Sequence, residues 1–498
     1  MTGLAIARPD ASVEAVTGSR TILLVDDHDV LYRAGTRRVL HPLKRHPANP
    51  LIKGKEKPWE VAIAWSSVHR DPATGRYQLW YQSYAGPAAR NKTHSCTVSY
   101  AESADGLTWE KPKLGLHAFN DVKDTNIVLL ANGGRSDRYG ASVVVDPRDP
   151  DPSRRYKLAH FDFARDEKGE EFPGLCVAFS PDGIHWTKHP GKPLLVASYG
   201  QPAQPPFAGE PRGKWWDNPL AVSDAVDVFY DPVRAVFASY GKCWIDGPDG
   251  RMYWKHAAAR IESKDFIHWS EPQLVMVPDE HDAPHVEFHT TPVFFYNGVY
   301  FAAPQILNRG DRGGVMDVEL ALSRDGIRFD RPFRSPFWLP KSEGDTFDSG
   351  SIFTNSSPVM LDDEFRFYYG GYSQGATGID DRYQVSGIGL ATMPRGRFAG
   401  RRPVGKTGQI TLKPIDLAGI KSMTINADAS KGAVRVELLD EQCRRVRGFT
   451  RDEVEPITGD GLRHAVRWKA KSIGDLAAGR YVPRLHLENA EVFAATLI

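Results

Sequence analysis

The stretch Ser103-Ala-Asp-Gly-Leu-Thr-Trp109 decides the fold of this chain, because its pattern returns at intervals along the sequence. The pattern consists of a serine, any residue, an Asp-Gly pair, two further residues and an aromatic ring. Later copies begin at Ser180, Ser263 and Ser323, and a degenerate fifth copy runs from Thr392 to Phe398. Repetition on this scale is typical of architectures in which each copy marks one supersecondary unit.

The sequence around each copy predicts a blade of a β-propeller. An alternating strand precedes each copy, so the Asp-Gly pair falls where a hairpin turn needs a positive φ. We expect the aromatic residue to pack between sheets. Two more strands lie upstream, as in Val61 to Trp65 followed by Tyr77 to Gln82. Five such repeats favour a five-bladed propeller over a sandwich, because radial closure leaves only short, protected edges.

The pattern changes after Phe398, which gives the predicted domain boundaries. Arg401-Arg402-Pro403 is typical of a linker, and the alternating strands that follow predict a β-sandwich. We therefore expect an all-β protein, a five-bladed β-propeller followed by a C-terminal β-sandwich. Its predicted parts are a disordered N-terminus at 1–20, the propeller at 21–400 and the accessory sandwich at 401–498. The strand Thr21 to Val25 is expected to close the propeller.

Composition argues against several classes of partner. Lys and Arg total 63 against 62 Asp and Glu, a net charge of +1, so nothing favours binding to nucleic acid or anionic membranes. The four cysteines lie far apart, without the close pairs of a zinc site or a disulfide framework. No signal-peptide pattern or long apolar run is present, which predicts a cytoplasmic location. We expect no cofactor and no catalytic metal; a structural Ca²⁺ on the propeller axis is left open.

One segment carries a more specific resemblance. Residues Glu287-Phe-His-Thr-Thr-Pro292 and the following Asn297-Gly-Val-Tyr300 look like the block that carries the general acid in five-bladed propeller glycoside hydrolases. With the repeated motif, they make the chain resemble the invertase and levanase-like and the arabinanase and xylosidase-like enzymes. The nucleophile motif of the invertases is absent, so the resemblance is to a divergent branch. It implies that Glu287 protonates a leaving glycosidic oxygen.

Residues where the innermost strand of each blade begins converge on the propeller axis even when they are far apart in sequence. The five entrances carry Glu60, Asp137, Asp224 with Asp227, Glu287 with His289, and Asp345 with Asp348. Glycoside hydrolysis needs one carboxylic acid and one carboxylate, and crowded carboxyl groups can differ in pKa enough to supply both.

The catalytic candidates are three of these acids. Glu287 is the predicted proton donor and Asp224 the predicted base or nucleophile. Asp348 is the alternative base, or a residue that orients sugar hydroxyls. The predicted substrate-binding residues are His289, Trp216, Asp217, Glu60, Asp137 and Asp227, with Trp216 as a stacking platform for a sugar ring.

We expect a glycosidase that removes terminal sugars from an oligosaccharide or small glycoside, and the resemblance favours furanosides such as fructosyl or arabinosyl units. One alternative is a mannoside-type phosphorylase, for which Arg37, Arg38, Lys44 and Arg45 could hold phosphate. Another is a carbohydrate-binding propeller without activity. A homo-oligomer is left open.

Overall fold

The computed structural model describes residues 19–132, 139–196, 224–247, 254–311, 313–376 and 385–498. Within these ranges the regular structure is β-strand apart from four short 3-10 turns at Gly86–Ala88, Lys92–His94, Pro152–Arg154 and Ile473–Asp475. The chain forms two compact units. The propeller unit comprises Lys44–Val359 and Arg366–Thr392, and the terminal unit comprises the chain up to Leu43, Met360–Phe365 and Met393–Ile498.

The propeller unit contains the five predicted blades, each an antiparallel meander. Blade 1 has strands Ala62–Arg70, Tyr77–Tyr84, Cys96–Ser103 and Ile127–Leu130. Blade 2 has strands Tyr139–Val145, Tyr156–Arg165, Glu171–Ser180, Thr187–Lys188 and Leu195–Val196. Blade 3 has strands Val228–Asp231, Val236–Ile245, Lys255–Ser263 and Gln273–Met276.

Blade 4 is split into an inner and an outer sheet, because Pro292 and Pro304 interrupt its first two strands and neither residue can donate to a ladder. The inner sheet has strands Val286–Phe288, Gln305–Asn308 and Val315–Val318. The outer sheet has strands Val293–Tyr296, Val299–Ala302, Leu320–Ser323 and Asp330–Phe333.

Blade 5 is completed by the N-terminal part of the chain. Its own strands are Ser351–Phe353, Val359–Met360, Glu364–Tyr372 and Ser386–Pro394. The last of these pairs with Lys44–Arg45 and Ile52–Lys53, with Ala391 opposite Arg45 and Gly387 opposite Lys53. A segment from the N-terminal part of the chain therefore closes the propeller, as expected, although it is a different segment from the predicted one.

The closing segment is not the predicted strand Thr21 to Val25. Strand Arg20–Leu23 instead pairs with Glu491–Leu497, at the far end of the sequence. Ile22 and Leu24 are buried in the core of the terminal unit. The prediction assigned this strand to the propeller because it directly precedes the first blade in the sequence. Its actual partner is the strand beside which Ile22 and Leu24 are buried.

The repeated motif forms the predicted turn. In the first copy the Ser103 hydroxyl accepts the N–H groups of Asp105 and Gly106, at 3.2 and 2.9 Å. The Asp105 carboxylate accepts those of Leu107 and Thr108, at 2.7 and 2.8 Å. Gly106 has φ +74°, which a side chain would strain.

In three of the turns, the carbonyl of the motif glycine accepts a hydrogen bond from an aromatic residue of the preceding blade. Trp80 of blade 1 donates its indole N–H to the Gly183 carbonyl of blade 2 at 2.6 Å, and a Cβ on Gly183 would lie 2.5 Å from the Trp80 ring. In blade 3 the glycine is replaced by Phe266, with φ +70°. The Phe266 ring packs in one apolar cluster with Ala159 of the preceding blade, and its centroid lies 6.2 Å from that of the Phe179 ring of the same blade.

The terminal unit is a β-sandwich. Its long strand Met423–Leu439 pairs with Glu491–Leu497 through its first half and with Arg480–Glu488 through its second half. The remaining strands are Arg20–Leu23, Val30–Ala34, Thr36–Leu40, Ala399–Pro403, Thr407–Leu412, Ile415–Asp416 and Ile457–Ala465. The fold class, a five-bladed propeller with a C-terminal sandwich, is confirmed. The boundaries differ from those expected, because residues 20–40 belong to the sandwich and not to the propeller.

Candidate active site

Two of the predicted catalytic carboxylates enter the propeller from neighbouring blades. Glu287 lies on Val286–Phe288, the innermost strand of blade 4, and is 6% exposed. Asp224 lies just before Val228–Asp231, the innermost strand of blade 3, and its side chain is 16% exposed. The innermost strands of a propeller surround its central channel, so both carboxylates lie where a small ligand can be enclosed.

Glu287 is surrounded by hydrogen-bond donors. One carboxylate oxygen accepts from Arg309 Nε at 2.6 Å. The other lies 2.5 Å from His256 Nδ1 and accepts the backbone N–H of His256 at 3.2 Å. The His256 ring packs on Trp244, with ring centroids 3.8 Å apart. Burial lowers the pKa of His256 to about 4, so its ring is neutral and Nδ1–H can donate to the carboxylate.

These donors determine the protonation of Glu287. Burial raises the pKa of the carboxyl group. The hydrogen bonds from His256 and the charge of Arg309 lower that pKa by more than burial raises it, so the pKa of Glu287 lies below the ordinary value. Glu287 is therefore ionised at neutral pH in this arrangement. The sequence-based prediction that Glu287 is a protonated donor assumed that other acids crowd it. Its partners in the structure are instead a histidine and an arginine.

Asp224 forms an ion pair with Lys242, which is 8% exposed on the second strand of blade 3. Burial raises the pKa of Asp224, yet the charge of Lys242 outweighs it and the pKa lies below the ordinary value. Asp224 is also ionised at neutral pH.

His289 lies two residues after Glu287 and is 8% exposed. Its Nδ1 lies 3.1 Å from Gln305 Oε1, and burial lowers the pKa of the ring to about 3. The charges of Asp224 and Lys242 act on this ring, whose centroid lies 6.0 Å from that of Trp65 in blade 1. We refer to Asp224, Lys242, His256, Glu287, His289 and Arg309 as the carboxylate cluster.

Asp348 does not join this cluster. Its carboxylate accepts from Arg45 Nε at 2.7 Å, from the Tyr369 hydroxyl at 2.9 Å and from the Thr346 hydroxyl at 3.0 Å. All three partners belong to blade 5 or to the segment that closes it, and Asp348 is 1% exposed. Its contacts fasten the closing segment to the blade.

Glu60 is likewise held away from the cluster. It is fully buried, and it accepts from Lys111 Nζ at 2.6 Å and from the Tyr81 hydroxyl at 2.7 Å. Burial raises its pKa, and Lys111 offsets part of that effect. These contacts hold the entrance of blade 1 together.

Asp227 lies deeper, where the innermost strands of three blades meet. Its carboxyl group is hydrogen-bonded by Ser356 of blade 5 and lies 3.5 Å from the Ser142 hydroxyl of blade 2. Burial raises its pKa to about 8, and hydrogen bonds offset only part of that rise. Asp227 is thus mostly protonated at neutral pH. Asp137, Trp216 and Asp217 lie outside the described residues.

Sequence reasoning missed Lys242, His256 and Arg309. They lie on or next to second and third strands, where no short motif marks them. The available signal was Lys242 inside the otherwise uncharged strand Val236–Ile245, and His256 directly before the three alanines of Lys255–Ser263. A buried charge in such a strand requires a partner.

Other expectations concern residues outside the cluster. Arg37 and Arg38 lie on Thr36–Leu40 of the terminal unit, and Lys44 and Arg45 lie on the closing segment of blade 5. Across the described part of the chain, no group of three or more His, Cys, Asp or Glu residues is arranged to hold a metal ion. The same residues contain no helix long and apolar enough to cross a membrane.

No protein-family model and no curated protein matches this sequence. Solved structures that resemble it include a glycosyl hydrolase from Bacteroides ovatus, 16% identical, with a TM-score of 0.47 over 71% of this chain and 94% of that chain. Another is a structure from work on the GH130 family of mannoside phosphorylases and its glycoside hydrolases that target β-1,2 mannosidic linkages in Candida mannan. It is 16% identical, with a TM-score of 0.47 over 72% of this chain and 95% of that one.

A third is an N-acetylgalactosamine deacetylase from F. plautii in complex with blood group B trisaccharide, 18% identical, with a TM-score of 0.45 over 71% of this chain and 96% of that one. The chain is thus similar to these solved structures at 16–18% sequence identity.

Proposed function

We propose that this protein is a glycosidase that removes terminal sugars, with Glu287 and Asp224 as its catalytic carboxylates. The observation that carries the proposal is the carboxylate cluster itself. Glu287 is buried on the innermost strand of blade 4, and Asp224 is partly buried just before that of blade 3. Each has a cationic partner, and each interacts with a neutral histidine. Two carboxyl groups in one enclosed site are what glycoside hydrolysis requires.

In this proposal Glu287 becomes the general acid only when substrate is bound. The Arg309 side chain is 40% exposed and is the most accessible partner of Glu287. A sugar that takes the place of Arg309 removes a charge that lowers the pKa of Glu287, and burial then raises that pKa. The protonated carboxyl donates to the leaving oxygen, and Asp224, kept ionised by Lys242, attacks the anomeric carbon or activates water.

His289 serves as a positioning residue. Its Nδ1–H is held by Gln305, so the free Nε2 can accept a hydrogen bond from a sugar hydroxyl. We propose furanosides such as fructosyl or arabinosyl units as the sugars.

The test is a screen of aryl glycosides and fructans with four proteins. Glu287→Gln should lose about 10²- to 10⁴-fold in turnover because the proton donor is gone. Glu262→Gln is the matched control, because Glu262 lies on the outer part of blade 3 and pairs with Arg260. Arg309→Met should raise the pKa of Glu287, and the alkaline limb of the pH profile should move upward. Full activity in Glu287→Gln would remove the assignment.

A phosphorylase is the second candidate, and one observation favours it. Lys242 and Arg309 place two cations in the cluster, which could hold a phosphate in place of water. Turnover that requires inorganic phosphate and yields a sugar 1-phosphate would establish this reading. Binding of sugar without turnover of any substrate would leave a carbohydrate-binding propeller.

A further inference from the structure

A second cavity lies between the closing segment of blade 5 and the loop that enters this blade. Its volume is about 500 Å³, which falls in the range of roughly 300–1,000 Å³ that small-molecule sites occupy. Its walls come from Arg45 to Lys55 on one side and from Ser342 to Asp348 on the other, with Val385 and Ser386 at one end. None of these residues belongs to the carboxylate cluster.

The charges on the cavity wall leave a positive excess. Three cations, Arg45, Lys53 and Lys55, face two acids, Asp345 and Asp348. Arg45 and Asp348 neutralise each other at 2.7 Å. Lys53 forms no ion pair within the described ranges, and it is exposed to solvent. The wall therefore attracts an anionic group more than a neutral one.

The remaining wall offers hydrogen-bond donors and apolar contacts together. His46 Nδ1 accepts the backbone N–H of Ala48 at 3.2 Å, which leaves Nε2 as the ring nitrogen that can donate to a ligand. Ser342 lines the opposite wall and adds a hydroxyl group. Pro50 and Phe347 supply apolar surface against which the C–H face of a sugar ring can pack.

We propose that this cavity binds an anionic sugar residue, such as a uronic acid, within an oligosaccharide. The residues on one wall lead into the innermost strand of blade 5, and Lys53 to Lys55 precede the innermost strand of blade 1. A chain held here can extend toward the propeller channel. The role of the cavity as an outer binding position for substrate rests on the proposed glycosidase activity. The binding of an anionic sugar in the cavity does not rest on that activity.

The experiment compares two probes of the same shape by calorimetry on the full-length protein. Trigalacturonate carries the charge, and its methyl ester lacks it. We expect the acid to bind about tenfold more tightly than the ester, and Lys53→Gln with Lys55→Gln to abolish that difference. Asp345→Asn should strengthen binding of the acid, because it removes a repelling charge. Lys264→Gln, an exposed lysine on the turn of blade 3, is the control and should change nothing.

Equal affinity for acid and ester would overturn the inference, as would equal weakening by Lys264→Gln. Full competition by sulfate alone, at the concentration of the trigalacturonate, would also overturn it, because the site would then recognise an anion and not a sugar. The two proposals fail separately. A protein that hydrolyses neutral glycosides but does not distinguish acid from ester keeps its activity assignment and loses this site.

Discussion

At the scale of single residues, acids that occupy equivalent positions in the sequence have different chemistry because of their partners. Glu287 and Asp348 both lie at the entrance of an innermost strand. Glu287 faces a histidine and a half-exposed arginine, whereas Asp348 is enclosed by Arg45, Thr346 and Tyr369. Position along the repeat therefore identified which acids to consider, and the tertiary partners decide what each of them does.

Asp348→Asn should act on stability. Replacing the carboxylate leaves Arg45 without its counter-charge in a mostly buried site, and we expect a loss of about 3 kcal/mol in the free energy of unfolding. Chemical denaturation measures this loss. Glu287→Gln is the comparison, because it should change turnover far more than stability. A stable Asp348→Asn protein without activity would instead return Asp348 to the catalytic residues.

Asp227 makes the stability of the protein depend on pH. Its folded pKa of about 8 lies above the ordinary value of 3.8, so the folded protein retains a proton that the unfolded chain releases. The stability that Asp227 contributes to the folded protein is fully present below about pH 4. It declines as the pH rises and is lost by about pH 8. Asp227→Asn should thus be more stable than the natural protein at pH 8 and equal to it at pH 4.

Thermal unfolding at pH 4, 6 and 8 checks the Asp227 prediction. The exposed Asp330→Asn serves as the control and should give a constant difference from the natural protein. A stability gap in Asp227→Asn that does not grow with pH would mean that Asp227 is ionised in the folded protein.

At the scale of elements, neighbouring blades pack through the turn residue of one blade and an aromatic residue of the blade before it. Where the turn has Gly183, the preceding blade supplies Trp80, and where it has Phe266, the preceding blade supplies Phe179 and Ala159.

Gly183→Ala should destabilise the protein by about 3 kcal/mol, because it adds steric overlap with Trp80 to the strain of φ +79°. Gly115→Ala isolates the backbone strain, since Gly115 has φ +67° and nothing within 4 Å of its Cβ position. It should cost only about 1 kcal/mol. Urea denaturation measures both. Equal costs would show that the Trp80 contact does not require glycine.

The repeated turn was predictable because its chemistry is local. Ser103 and Asp105 satisfy the backbone within five residues of themselves, and a positive φ suits the glycine that follows. The carboxylate cluster was predictable only in part. Glu287 and Asp224 stand at strand entrances, but Lys242 and Arg309 come from neighbouring strands whose meeting depends on the closed fold.

At the scale of the whole molecule, the sequence order of the chain does not match the order of its domains. The predicted propeller began at residue 21, but strands Arg20–Leu23, Val30–Ala34 and Thr36–Leu40 pair within the terminal unit. No local pattern could show this, because the partner of Arg20–Leu23 ends at residue 497.

A chain cut to residues 44–394 should therefore be soluble, whereas a chain of residues 19–400 should aggregate. The longer chain retains apolar Ile22 and Leu24 but lacks the strands that bury them. Size-exclusion chromatography after expression distinguishes the two. A monodisperse 19–400 protein would mean that its first strands find a different partner.

The pairing of Arg20–Leu23 with Glu491–Leu497 also determines when the first of these strands can find its partner during biosynthesis. About 470 residues separate the two strands, so at about 5–20 residues per second the ribosome releases the second on the order of 25–95 s after the first. During that interval the blades can assemble while the leading strand is still without its mate. Chaperones that shield nascent chains would therefore be needed at Arg20–Leu23 more than at the blades.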